Sequence, residues 1–344
     1  MKSICLPIIL MLSVIFRTAQ ADEIQLFTWE EYFSDEVIKR FEAETNHTVN
    51  QVYFENESLR DEVMYSGKAA AYDLVILDGY TLSVLGEKGI LSKLDNALSD
   101  DLPLFTDKSE QACHGYGIPY AYGTIGIGFR NSKVKETISS WMDVFDYAKA
   151  NPGSVIIPDE DMDTVAIALM ALGYNPMSKD VSELKQAFVL LQSVIGDLLV
   201  FRNGLGYALD KGKQSKMDMA VFYSGEKEQI SIATGQDDWE YIIPDEGTLV
   251  WHECLSSHTK KPMKPSTIEF LRYINNPANA AKNAQDIWFA TANKDALKWA
   301  NEDYINDEEL FPSELTSSKY YNYQLLDYNA LKVRGNIINV LSNQ

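Results

Sequence analysis

Positive charge is scarce in this chain: 30 Lys and Arg stand against 50 Asp and Glu, for a formal charge of −20. That argues against sequence-independent nucleic-acid binding, which needs a basic surface to displace counterions from phosphate. The acid surplus fits a cationic ligand, and it fits plain solubility equally well. Only three Cys and four scattered His (His47, His114, His252, His258) are present, which gives metal chemistry little to work with. No apolar run approaches the ~20 residues of a membrane-spanning helix. Catalytic signatures are missing too. There is no phosphate-binding glycine loop, Gly123, Gly126 and Gly128 miss the dinucleotide spacing, and no G-x-S-x-G occurs. His252-Glu253 lacks the second His of a zinc-protease helix, and nothing singles out Glu160 and Asp163 as a glycosidase pair. The expectation is a non-enzyme without cofactor or metal.

What is present begins with an export signal. Lys2 precedes a short apolar stretch from Leu6 to Phe16, and Ala19-Gln20-Ala21 has the small-x-small form of a cleavage site, so residues 1–21 read as a removed signal peptide. Cys5 lies within the signal at the start of its apolar stretch, not at a cleavage point, which leaves Cys113 and Cys254 in the exported chain. An oxidising compartment permits them to pair, but two cysteines 141 positions apart form no motif, and spacing leaves the question open.

The length suits two domains with real cores. Ile24–Thr28 reads as a strand, followed by a helix capped by Ser34, with Val37, Ile38 and Phe41 on one face and Asn46 at its end. A strand over Val49–Phe54, a helix capped by Ser58, and the buried-type strand Asp73–Leu77 complete a βαβαβα pattern. The Gly-, aromatic- and β-branched-rich stretch from Tyr116 to Arg130 suits a strand crossing between domains, with a hinge near Gly126. A second α/β pattern follows, with strands over Ser154–Ile157 and Met219–Tyr223, helices over Thr164–Leu172 and Glu183–Ile195, a further strand starting at Leu249, and helices from Ser266 onward.

An acid recurs beside an aromatic at these strand ends and loops: Trp29, Glu31 and Tyr32; Asp78 and Tyr80; Glu160 and Asp163; Tyr223; Trp251 and Glu253. Open parallel sheets bind ligands at the carboxyl ends of their strands. A cation there gains a charge-assisted hydrogen bond from each carboxylate and about 0.5–2 kcal/mol from each ring face it meets. Ammonium groups separated by short alkyl stretches match that alternation, as in a linear polyamine. Each residue also has a plainer reading. Glu30, Glu31 and Asp78 suit helix starts, the acids of 159–163 suit a solvated first turn, and Trp251 suits a core.

Five segments carry a resemblance: Phe27-Thr28-Trp29-Glu30-Glu31-Tyr32, Ala71-Tyr72-Asp73-Leu74-Val75-Ile76, Gly117-Ile118-Pro119-Tyr120-Ala121-Tyr122-Gly123, Leu172-Gly173-Tyr174 and Gly247-Thr248-Leu249-Val250-Trp251. Together they resemble the spermidine/putrescine-binding periplasmic proteins of polyamine ABC transporters. The resemblance implies an α/β, two-lobed periplasmic solute-binding fold of type II with a hinge-closing cleft, and a monomer in the periplasm. It divides the chain into lobe 1 (22–126 plus 249–295) and lobe 2 (127–248 plus 296–344). It implies ring positions at Trp29, Tyr32, Tyr80 and Trp251, acid positions at Glu160, Asp163 and Glu253, and a polar contact at Tyr323 or Gln324.

Three departures accompany it. Tyr223 stands where the spermidine binders usually have Trp, Asp78 stands where Ser is usual, and Glu160, Asp163 and Glu253 exchange Asp and Glu. Counting Glu31, Asp78, Glu160, Asp163 and Glu253 as ligand acids favours a triamine such as spermidine or norspermidine over putrescine. The partner implied is an inner-membrane ABC permease. The related norspermidine-sensor branch implies instead a membrane-bound cyclic-di-GMP receptor. A third reading, ferric-ion binding, rests on the adjacent Tyr320 and Tyr321 as hard oxygen donors.

Overall fold

The signals for alternating strand and helix are realised from Glu23 onward in a computed structural model that describes residues 21–94, 105–313 and 318–344. The expected signal peptide, Ala21 apart, lies outside the described residues. The strands are β1 (Glu23–Thr28), β2 (Thr48–Tyr53), β3 (Leu74–Asp78), β4 (Gly117–Arg130), β5 (Val155–Ile157), β6 (Val200–Phe201), β7 (Met219–Tyr223), β8 (Trp239–Ile242), β9 (Thr248–Ser256), β10 (Ala290–Thr291) and β11 (Tyr320–Asn322). The helices are α1 (Asp35–Thr45), α2 (Glu57–Ser66), α3 (Gly79–Glu87), α4 (Asp107–Cys113), α5 (Trp141–Ala150), α6 (Asp161–Ala171), α7 (Val181–Gln192), α8 (Gly204–Lys211), α9 (Glu226–Thr234), α10 (Pro265–Asn275), α11 (Pro277–Ile287), α12 (Glu302–Ile305) and α13 (Tyr328–Ser342).

Local chemistry sets most of these boundaries. Ser34 accepts from the Val37 amide at 3.3 Å to start α1, and Asn46 ends the helix in the left-handed region, with Val37, Ile38 and Phe41 buried between them. The cap of α2 is Asn56 and not the expected Ser58. Asn56 keeps an extended backbone and accepts from the Leu59 amide at 2.9 Å, which leaves Ser58 inside the first turn. From Ser266 onward the chain is mostly helical as expected, but it also supplies β10 and β11, whose two and three residues are strands only through pairing with β4 and β9.

The sheet runs β2-β1-β3-β9-β4-β7-β5-β6. Strands β1, β2 and β3 are parallel, β5, β6 and β7 are parallel, and the long antiparallel pair β4 and β9 lies between the two groups. Strand β4 belongs to both groups. Gly117–Thr124 pairs with β9, and Ile125–Phe129 pairs with β7. At that changeover the Thr248 hydroxyl accepts from the Ile125 amide at 3.0 Å and donates back to the Ile125 carbonyl. A Cβ at Gly123 would sit 2.4 Å from the Trp251 ring, and one at Gly126 would sit 2.5 Å from the Ile242 carbonyl oxygen, so glycine permits both close approaches. Two α/β lobes therefore stand on either side of the β4–β9 crossing, the two-lobed architecture expected.

Burial anchors the later segments. Trp141 is fully buried and donates its indole N–H to the Gly247 carbonyl at 2.8 Å. Arg334, also fully buried, ties α13 to the second lobe through the Met162 and Pro176 carbonyls. The segment 296–305, expected with lobe 2, packs on the first lobe. Its Tyr304 donates to the Phe289 carbonyl at 2.6 Å and accepts from the Thr291 amide at 3.0 Å.

Cys113 at the end of α4 and Cys254 in β9 form a disulfide, with Cα atoms 5.9 Å apart. Pairing settles what the spacing left open and removes Cys254 as a thiolate metal ligand. Closing so long a loop constrains the unfolded chain, an effect of about 2–4 kcal/mol. Replacing both cysteines by Ser should lower the thermal midpoint without changing far-UV circular dichroism at low temperature. An unchanged midpoint would show that the bridge contributes nothing to stability.

Candidate ligand-binding cleft

Strands β1 and β3 end in the same direction, and each hands its chain to a helix at one rim, so the residues just past them converge. Trp29 and Tyr32 lie between β1 and α1, with ring centroids 6.4 Å apart. Asp78, the last residue of β3, is paired in register with Glu253 of β9. Trp251 and Glu253 alternate onto one face of β9, each only 6% exposed. From the second lobe come Glu160 at the entry to α6, Asp163 in its first turn, and Tyr223 at the end of β7. These walls enclose a cleft of about 750 Å³.

Nine of the ten expected residues line it: Trp29, Tyr32, Asp78, Tyr80, Glu160, Asp163, Tyr223, Trp251 and Glu253. Glu31 does not. Its left-handed backbone, φ 59°, turns it to an exposed position, and Glu30 lies on the wall instead. Tyr323 lines the cleft, whereas Gln324 is exposed and off the wall. Tyr320 and Tyr321 sit in β11 beside Thr248 and Leu249 and are not among the lining residues. The ferric reading thereby loses its two donors, and the described residues hold no cluster of His, Cys, Asp and Glu suited to a metal.

The walls are internally bonded to different degrees. Both oxygens of Asp163 accept phenol hydrogens, one from Tyr223 at 2.6 Å and one from Tyr323. Asp78 is also committed, because one oxygen accepts the Thr81 amide at 2.7 Å, capping α3, and the other accepts from Arg60 at 2.8 Å. Glu253 is the exception. The Trp29 indole N–H donates to it, but its Oε2 is buried without a hydrogen-bond partner among the described residues, as is the Tyr80 hydroxyl. Around it stand Trp29, Trp251, Tyr32 and Phe289, the last with its ring 5.1 Å from Tyr32 and 5.8 Å from Trp251.

Burial disfavours the charged forms of Glu160, Asp163, Glu226 and Glu253, and neighbouring acids add to the effect. Glu160, pressed by Asp159 and Asp163, is pushed up to about 8. Glu253, close to Asp78, is also pushed up to about 8, and burial takes Asp163 to about 6 and Glu226 to about 7. Acids outnumber the lining cations Lys108 and Arg202, of which Arg202 is paired with Asp210 at 2.7 Å, so the buried acids want more positive charge. His252 does not supply it. Its Nδ1 faces the Ser109 hydroxyl at 3.0 Å, and burial lowers it to about 4, so it is neutral.

Glu57, Glu226, Phe54 and Phe289 are among the lining residues not singled out from sequence, and neither was Arg60 behind the wall. Glu57 follows β2 and Glu226 follows β7, so the strand-end argument applied to every strand would have found both. Phe54 closes the end of β2 and packs 4.4 Å from the Trp29 ring. Phe289 carried no signal, since the short β10 places it. Arg60 of α2, fully buried behind Asp78, carried none beyond its spacing of three from Glu57.

Residues 36–312 match the bacterial extracellular solute-binding proteins, and the chain belongs to that family. It is 24% identical over 339 residues to the norspermidine sensor of Vibrio cholerae, covering 98% of this chain and 93% of that one. It is also 24% identical over 307 residues to the spermidine/putrescine-binding periplasmic protein of Salmonella typhimurium, covering 87% and 85%. Among solved structures, a putative spermidine/putrescine ABC transporter from Listeria monocytogenes superimposes with a TM-score of 0.82 at 22% identity, covering 93% of this chain and 98% of that chain. No described helix is long and apolar enough to cross a membrane.

The raised acids make stability depend on pH. A carboxyl near 8 when folded and near 4.3 when unfolded holds its proton preferentially in the folded state. The stabilisation is complete below the unfolded value and lost as pH rises through about 8. The thermal midpoint of the ligand-free protein should fall between about pH 5 and about pH 9, and a Glu160→Gln, Glu253→Gln double variant should flatten that fall. Equal slopes in both proteins would rule the two carboxyls out as its source.

Proposed function

We propose that the protein captures a linear di- or triamine, spermidine or norspermidine in preference to putrescine, in the cleft between its lobes. The observation that carries this reading is Glu253, a buried carboxylate with one unpartnered oxygen, set among aromatic rings with no imidazolium beside it. A neutral donor could supply the hydrogen bond but not the charge, whereas an ammonium group satisfies both together. Glu160 and Asp163 supply acid on the opposite lobe, and the rings of Trp29, Tyr32, Tyr223 and Trp251 suit the methylene carbons between the charges. Glu226 joins the ligand acids in this reading, while Glu31 drops out and Asp78 is spent on Arg60.

In this reading the protein works in the periplasm, as does the spermidine/putrescine-binding periplasmic relative, and delivers its amine to an ABC permease, which the name of the spermidine/putrescine ABC transporter structure supports. The second reading is sensing, in which the loaded protein reports to a membrane-bound cyclic-di-GMP receptor. The match to the norspermidine sensor, over 98% of this chain, favours it. Deleting the gene separates the two. Loss of labelled polyamine uptake marks delivery, and a changed cyclic-di-GMP response to norspermidine with uptake intact marks sensing.

Calorimetry should give a one-to-one complex with spermidine or norspermidine. A hydrogen bond to a charged group contributes about 1.5–3 kcal/mol, so Glu253→Gln should weaken binding by about 10- to 100-fold. Binding should also release protons near neutral pH, because the cation draws Glu160 and Glu253 into their ionised forms. The heat should then vary with the buffer's ionisation enthalpy. Failure to bind any di- or triamine at moderate salt would overturn this reading.

A further inference from the structure

Arg60 is a full positive charge that the protein keeps for itself inside an otherwise acidic site. Its side chain has no solvent exposure. Nη2 donates to Asp78 at 2.8 Å and to the Thr81 hydroxyl at 3.1 Å, and Nε donates to Asp61 at 3.0 Å. Nη1 lies 3.5 Å from Glu57, and the guanidinium carbon stands 5.8 Å from the centre of the Phe54 ring. Glu57, Asp78 and Phe54 all face the cleft, so one end of the acidic wall is backed by an internal cation. The field of that cation reaches the ligand acids, since it favours the charged forms of both Glu253 and Glu160.

Resting on the polyamine reading above, we propose that Arg60 is a specificity-determining residue which, by engaging Asp78 and standing beside Glu57, withdraws that end of the cleft from ammonium binding and disfavours a tetraamine such as spermine against a triamine. A fourth ammonium placed at the Asp78 end meets a carboxylate with both oxygens already hydrogen-bonded and a guanidinium directly behind it. Displacing Arg60 is not open to the ligand. The guanidinium is buried, held by four partners, and would have nowhere else to place its charge. The same arrangement gives Asp78 a purpose. A carboxylate at the end of β3 would add a ligand acid, but the pair Arg60 and Asp78 adds no net charge while fixing the length of the usable site. Arg60 acts through its neighbours and touches no lining space itself, so it positions and counts charge and does not contact the amine.

The test is the ratio of spermine to spermidine association constants, measured by competition calorimetry. Arg60→Gln should raise that ratio by roughly tenfold, the equivalent of about 1.4 kcal/mol. Arg60→Lys should keep it near the wild-type value. Losing Arg60 leaves three carboxylates without their cation, so the set includes Asp78→Asn, which retains the buried charge and should lower the ratio. It also includes Arg60→Gln with Asp78→Asn, which removes both charges and should return the ratio toward wild type. Wild-type protein that binds spermidine while these variants all keep its ratio overturns this proposal alone. Wild-type protein that binds no polyamine overturns the functional reading and this proposal with it.

Discussion

Carboxylates taken out of water need a positive charge beside them or must give up their own, and the interior of this protein is organised by that requirement. Ten acids line one cleft, among them Glu57, Asp78, Glu160, Asp163, Glu226 and Glu253. The protein answers the requirement in three ways. Asp78 and Glu57 receive an internal guanidinium. Asp163 receives two phenols, and Glu226 receives the Tyr223 amide and the Asn203 side chain, hydrogen bonds that soften the cost without cancelling it. Glu253 receives one indole N–H and is otherwise left in want. Asp78 is bonded on both oxygens while its register neighbour Glu253 is not, so the cleft has an uneven wall as well as a sign.

The rings belong to the same account. An aromatic wall keeps water from relieving the carboxylates, which raises them toward neutrality, and it offers a negative face to any cation that replaces the water. Trp29 does both by packing on Phe54 while its indole N–H reaches Glu253. Trp251 is held by a bond from its indole N–H to the Thr124 carbonyl at 3.3 Å, at the point where β4 changes partners. The architecture of the crossing and the chemistry of the site therefore share a residue.

Much of this was legible from the residues alone, and the exceptions have physical causes. Met219–Tyr223 reads as a strand and is one, and the strand-end rule brought nine cleft residues to one place. The rule is topological, so it places backbones and not side chains. Glu31 fits it and still turns away, because one left-handed residue reverses the direction of a side chain without altering the spacing. Asn56 and Ser58 are equally good capping types, and only the backbone conformation chooses between them. Strands β10 and β11 are too short to carry a pattern, so tertiary pairing alone defines them. Asp78 read as an extra ligand acid because its counter-charge lies 18 residues away on another element. A surplus charge in a sequence is interpretable only once its partner is located.

The single strand β4, shared by both halves of the sheet, has a mechanical consequence. Trp251 lies opposite Gly123, within a few residues of the Thr124 to Ile125 changeover, whereas Leu209 in α8 and Leu325 just past β11 stand exposed on the rim of the second lobe. For a rotation pivoting at the changeover, displacement grows with distance from the axis. The floor formed by Trp251 and Glu253 would stay almost still while the rim sweeps over it. The first ammonium group then docks on a surface that is already in its final geometry, and only the later contacts wait for the lobes to meet.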